Sequence, residues 1–157
     1  MEMDFERTTD LNLVREILTH PKIYPRMIDD FSPPAEDFIP VEHERVWYVL
    51  VRDGGEILGL WMVVFVSPIL AEIHTCLLPH AWGERAAIAA KEAIRWLFAH
   101  SELQRIFTHV PAFNRLALRF AKASGMTEFG RHPKSFLFDG ILHDQFMLGL
   151  SRGEENS

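Results

Sequence analysis

Glu72 and His74 are the residues of this chain best placed to move a proton. The segment Glu72-Ile73-His74-Thr75-Cys76-Leu77-Leu78 reads as a strand, and the two-residue period sets Glu72 and His74 on one face. An imidazole titrates near neutrality and serves as a usable base. His109, at the end of a second candidate strand, is a further candidate base. For each of these the bland alternative is a partly buried, hydrogen-bonded histidine or a carboxylate facing water. A different chemistry follows directly along the chain. Leu77-Leu78-Pro79-His80-Ala81-Trp82-Gly83-Glu84-Arg85-Ala86-Ala87 runs from the strand through a short loop into an alanine-rich helix. Such a start points free backbone N–H groups at whatever lies above the helix, which suits a phosphate. Gly83 permits close approach of a ligand to the backbone, and Arg85 could add a bidentate contact. Glu84 sets a negative charge beside that site. Read as an ordinary helix start, the same Glu84 simply complements the macrodipole.

The elements that must hold these groups follow from local patterns. Asp4 to Arg7 is a short strand. Asp10 is a natural N-cap for a helix through Leu18, with Leu11, Val14, Ile17 and Leu18 at helical spacing. Pro21 ends it, and Lys22 to Asp30 reads as a second short helix. Phe31 to Val41, with three prolines, reads as a loop. Trp47 to Arg52 and Ile57 to Val66 are strands joined at Asp53-Gly54-Gly55. The strand containing Glu72 and His74 comes next, then a helix to His100 and a strand from Arg105 to Val110. Ala112 to Ser124 forms a helix with Gly125 as its C′ residue. Within it Phe113, Ala117, Phe120, Ala121 and Ser124 form a stripe that reads as core, with members small enough to leave a channel. Ser135 to Phe138, a turn at Asp139-Gly140 and Gln145 to Leu150 make a final hairpin, whose edge is a natural place for a second copy to pair. The order is β-α-α-β-β-β-α-β-α-β-β, an α/β fold with a mixed, mostly antiparallel central sheet flanked by helices. Residues 1–151 read as a single domain and 152–157 as a polar, frayed tail.

Composition excludes several classes. The net charge of −6 provides no basic field for nucleic acid. The longest apolar run, Ile57 to Leu70, is broken by Ser67-Pro68 and is too short for a membrane span of roughly 20 residues. The acidic Met1 to Glu6 segment lacks a signal-peptide layout, and the single Cys76 fits a reducing compartment, so a cytoplasmic location is expected. Cys76 itself reads as a packed strand residue. The eight histidines show no H-x-x-x-H spacing, and no metal site is expected.

The strand order and two motifs resemble the GNAT superfamily of N-acetyltransferases over nearly the whole chain. Trp82-Gly83-Glu84-Arg85-Ala86-Ala87 is similar to that family's Gln/Arg-x-x-Gly-x-Gly/Ala loop, with Ala87 matching, Arg85 standing for Gly, and Trp82 standing for Gln or Arg. Asn114-x-x-Ala117, followed by Gly125-Met126, resembles its second signature. The tyrosine that many members place seven residues after the Asn is Ala121 here. Trp82-Gly83 also looks like the ribosomal-protein N-terminal acetyltransferase branch. Asp29-Asp30, Glu72 to Pro79, Trp96-Leu97-Phe98 and Pro111-x-x-Asn114 resemble a tailed-bacteriophage group of the same fold that includes a head-assembly protein.

The resemblance implies acetyl-CoA as cosubstrate, with its pyrophosphate on the amides of Trp82 to Ala87. It implies a backbone N–H of Leu77 or Leu78 at the thioester carbonyl, and Asn114 near the pantetheine or serving as an N-cap. It implies His74, Glu72 or His109 as the group accepting the amine's proton, and Asp29 and Asp30 flanking the site of an unidentified amine, which the acidic balance of the chain suggests is cationic. The missing tyrosine is tolerable, because a thiolate with a pKa of about 8.5 leaves with little help. The alternative is an assembly or binding protein that keeps the fold with weak or no catalysis, partnered by phage structural proteins in a host cytoplasm. Trp47, Trp61, Trp82 and Trp96 would then include candidates for an interaction surface.

Overall fold

The computed structural model describes residues 3–156; Met1 and Glu2 of the acidic N-terminus and Ser157 of the polar tail lie outside the described residues. The elements are β1 Met3–Thr8, α1 Leu11–Leu18, α2 Tyr24–Met27, β2 Val46–Asp53, β3 Glu56–Ser67, β4 Leu70–Leu77, α3 Glu84–Ala99, β5 Arg105–Pro111, α4 Arg115–Ala123, β6 Thr127–Phe138 and β7 Ile141–Ser151. The order matches the one expected from the sequence. All seven strands join one sheet in the order β1-β2-β3-β4-β5-β7-β6. Every pairing is antiparallel except β4 with β5.

Alternation along the strands divides the core between the two faces. Val51, Leu58, Trp61 and Leu77 pack against Ala86, Ala89, Ala90 and Ala93 of α3. These small residues let the helix lie close to the sheet. Farther along the same helix, Ile94, Leu97 and Phe98 join Val63, Ile73, Ile106 and Leu148, with Ala121 of α4 beside them. On the opposite face Tyr48, Leu50, Leu60 and Cys76 pack against Val14, Ile17 and Leu18 of α1. Asp10 caps α1 by accepting from Leu13 N at 3.1 Å. Asn114 caps α4 in the same way through Ala117 N at 3.1 Å. No helix among the described residues is long and apolar enough to cross a membrane, and these residues contain no His, Cys, Asp or Glu cluster arranged to hold a metal.

Four segments differ from the sequence reading. The second helix covers only Tyr24–Met27, because Ile28 turns extended and Asp29 starts a turn instead. Helix α4 starts at Arg115 rather than Ala112, since Asn114 is its cap. Phe113, expected in the core, is half exposed and lies on Phe138. The last hairpin is much longer than expected, and irregularities between Glu128/Gly130 and His132/Phe136 interrupt the pairing of β6 with β7, which resumes after each. The segment after Ser151 is tied down rather than frayed: Arg152 donates to the carbonyls of Leu103, at 2.8 Å, and Ser101, at 3.0 Å.

Candidate active site

The site begins where two parallel strands part. β4 and β5 pair only from Leu70 to Glu72 and from Arg105 to Phe107. Beyond that β4 stays with β3 as far as Leu77, and β5 stays with β7 as far as Pro111. The gap between Ile73–Leu77 and Thr108–Pro111 therefore opens inside the sheet. Two cavities of about 460 Å³ each adjoin there, sharing Arg26, Met27, Thr75, Cys76, Asn114, Ala117 and Phe120 in their walls. Each volume lies in the range of small-molecule sites. Ala121 and Ser124 line the first cavity, so the small residues of the α4 stripe do leave open space.

Leu78 N–H donates to Leu58 O at 2.8 Å, so it faces β3. By the alternation of an antiparallel ladder, the polar groups of Leu77 face the other way, into the gap. Trp82 Nε1 reaches the Leu77 carbonyl there at 2.8 Å. Of the two amides expected at a thioester carbonyl, Leu78 is thus engaged and Leu77 N–H points at the opening.

The first cavity holds the titratable groups. Glu72 Oε1 accepts from His74 Nε2 at 2.9 Å, and Glu72 Oε2 accepts from His109 Nδ1 at 2.6 Å. The parallel register sets Glu72 opposite Phe107, which brings His109, two residues on, to the same face. One carboxylate thus holds two imidazoles. Burial opposes its ionisation, but the hydrogen bonds and charge of His74 and then His109 prevail and hold the Glu72 carboxyl at about 2. Because the carboxylate accepts from His109 Nδ1 and His74 Nε2, the remaining ring nitrogen of each neutral imidazole is left basic. His132 stacks on His109 with centroids 5.1 Å apart. Cys76 is buried, and burial pushes its thiol up to about 12, which fits packing rather than nucleophilic attack.

The second cavity has the opposite character. Its wall carries Lys22, Arg26 and Arg119 and, among the described residues, no carboxylate. That is notable in a chain of net charge −6. Trp82, Gly83, Ala86 and Ala87 bring the start of α3 to this cavity. Gly83 is the N-cap, with φ 93° and ψ −142°, a conformation that nearly excludes other residues. It offers no side-chain cap, unlike Asp10 and Asn114. The amides of Gly83, Glu84 and Arg85 have no protein acceptor among the described residues, so this helix start is open to an anion. Asn114 lines both cavities, and because its Oδ1 serves the cap, its Nδ2 donors remain available. Both readings of Asn114 are therefore compatible.

Other expected groups lie elsewhere. Arg85 turns away from the helix start and binds Asp53 at 3.0 Å and Glu56 at 3.3 Å. Glu84 is exposed and absent from both cavity walls. Asp29 accepts from Phe31 N and Ser32 Oγ. Asp30 accepts from Asp139 N at 2.7 Å and Gly140 N at 2.8 Å, clasping the α2 loop onto the β6–β7 turn. Neither aspartate lines a cavity. Replacing Asp30 with alanine is expected to lower Tm by roughly 2–4 °C, about one net hydrogen bond's worth in a chain of this size, while leaving acetyl-CoA affinity unchanged. Differential scanning fluorimetry and calorimetric titration check the two parts. Arg26, Met27, Phe136 and Gln145 were not legible as site residues, because helix and hairpin bring them in from far along the chain.

Residues 11–126 match the acetyltransferase (GNAT) family. A search of curated proteins finds no match to the chain. Among solved structures, a chimera of the Vibrio cholerae spermidine N-acetyltransferase and hSSAT superposes with a TM-score of 0.78 at 16% identity, covering 100% of this chain and 99% of that one. The Vibrio cholerae spermidine N-acetyltransferase in complex with CoA and spermine gives 0.73 at 16% identity, covering 99% of each. At that identity the likeness shows the fold.

Proposed function

The chain belongs to the acetyltransferase (GNAT) family, whose members transfer an acetyl group from acetyl-CoA to an amine, and from that premise we propose that its two adjoining cavities divide the task. The single observation that carries this reading is the uncapped start of α3, opening on a cavity with three cations and no carboxylate beside one that holds Glu72, His74 and His109. The amides of Gly83 to Arg85 would hold the diphosphate, and Asn114 Nδ2 and the gap between β4 and β5 would receive the pantetheine arm. The cosubstrate supplies an acetyl thioester. Leu77 N–H is the backbone donor aimed at its carbonyl oxygen. His74 or His109, with a ring nitrogen left basic by Glu72, takes the proton that the attacking amine must lose. The wall at buried Cys76 and Ala121 and partly buried Ala117 keeps water from the thioester. With Ala121 in place of a phenol, the thiolate departs unaided.

The acceptor is an amine small or thin enough to reach Glu72. The solved neighbours are spermidine acetyltransferases, which makes spermidine the first acceptor to try. Among the described residues Glu72 is the single carboxylate in the first cavity's wall, so a polyamine would find its second cation site outside that wall. The test is turnover with acetyl-CoA and a panel of spermidine, a lysine-bearing peptide and a peptide with a free N-terminus. CoA thiol release should depend on one of these amines, with the acetylated amine found by mass spectrometry. Release that no amine accelerates, with no acetylated product, would contradict the reading.

A further inference from the structure

Resting on the acetyl-CoA reading above, we propose that Arg26 is a cofactor-binding residue: it delivers from α2 the side-chain cation that the diphosphate loop lacks. The loop's own arginine is diverted, since Arg85 is held by Asp53 and Glu56. Arg26 stands in the walls of both cavities, and its guanidinium lies over the Trp82 ring, 4.4 Å from the centroid. Trp82 directly precedes Gly83, and all three residues line the cavity on which the start of α3 opens. The Arg26 guanidinium makes no hydrogen bond or ion pair among the described residues, whereas Arg52, Arg85, Arg95 and Arg131 each bind a carboxylate. Its donors are free to meet an anion, and a guanidinium stacked on an indole keeps its planar fork oriented while doing so. Local structure fixes its position. Ile23 and Tyr24 are buried, and the Tyr24 hydroxyl donates to the Pro33 carbonyl, which anchors α2 beneath the exposed Arg26.

The test is calorimetric binding of CoA and of dephospho-CoA, which keeps the diphosphate but lacks the 3′-phosphate, to wild type, Arg26→Gln and Arg26→Lys. Arg26 is exposed, so neither variant threatens the fold, and an unchanged Tm without ligand verifies this. Arg26→Gln is expected to weaken both ligands by roughly tenfold to a hundredfold, the effect of losing one charge-assisted contact. Arg26→Lys should recover part of that loss, and the salt dependence of binding should flatten in Arg26→Gln. Equal affinity of wild type and Arg26→Gln for CoA would overturn the assignment while leaving the acetyltransferase reading intact. A loss seen with CoA but not with dephospho-CoA would also overturn it, because Arg26 would then read the 3′-phosphate. A wild-type protein that binds neither ligand would overturn both.

Discussion

Glu72→Gln is expected to lower kcat about a hundredfold or more, with a small effect on the acetyl-CoA KM. The carboxylate accepts from His74 and from His109 at once, at 2.9 and 2.6 Å. An amide has one acceptor oxygen, so at least one imidazole must lose its partner or change tautomer. Losing a positioned general base costs on the order of a hundred- to ten-thousandfold. The accompanying pH–rate profile should lose the shape of its rising limb, since the base is no longer oriented. His74→Ala and His109→Ala, each combined with Glu72→Gln, then show which imidazole Glu72 acts through. That histidine's loss adds little to the loss of Glu72, while the other's adds in full. A Glu72→Gln enzyme with wild-type kcat and pH profile would refute the role.

The same carboxylate makes stability depend on pH in a defined window. Its native pKa of about 2 lies below the ordinary 4.5. Between those values the unfolded chain binds the proton and the native protein does not, so stability rises with pH there. Glu72's contribution is full above 4.5 and is lost as pH falls toward 2. The Tm difference between wild type and Glu72→Gln should therefore narrow as pH falls through that interval.

Gly59→Ala is expected to destabilise the protein by about 3 kcal/mol or more, a fall in Tm of roughly 6–12 °C. Gly59 has φ +141°, and a Cβ there would lie 2.3 Å from Cys76 O and 2.7 Å from Leu77 Cα. Both obstacles are backbone, so no side chain can step aside. The residue sits opposite Leu77, beside the irregularity between Val51 and Arg52 in the β2–β3 pairing. Displacing the end of β4 would also move the Leu77 N–H and the loop that Trp82 ties to it. Acetyl-CoA affinity should fall with stability. Thermal denaturation within about 2 °C of wild type would contradict this account of how β3 and β4 meet.

Gly59 marks the boundary of what the chain's sequence made legible. The strand–helix order was readable because each element carries a local signal: Asp10 and Asn114 as caps, Asp53 to Gly55 and Asp139-Gly140 as turns, Gly125 as a helix stop. The loop from Trp82 to Ala87 was readable as an open helix start for the same reason. The contacts that tune the site were not. Arg85 meets Asp53 across 32 positions, and His109 meets Glu72 across 37. A hydrophobic period does not encode such pairs; they follow from sheet register and from where β4 and β5 part. Arg85 was read as a phosphate ligand because its neighbours in sequence are the loop, whereas its neighbours in space are the β2–β3 turn. Arg26 carried no signal in sequence, since a lone arginine after Pro25 reads as an exposed helix residue.

Ligand-dependent thermal stability tests most directly whether acetyl-CoA occupies the cavity at the start of α3. Binding to the native state alone should raise Tm progressively with acetyl-CoA, by roughly 5–10 °C at a hundred times Kd. Gly83→Val, which strains the cap and fills the approach to the amides, should abolish most of that rise. No shift at millimolar acetyl-CoA would contradict the account and favour a chain that keeps this fold for binding another protein.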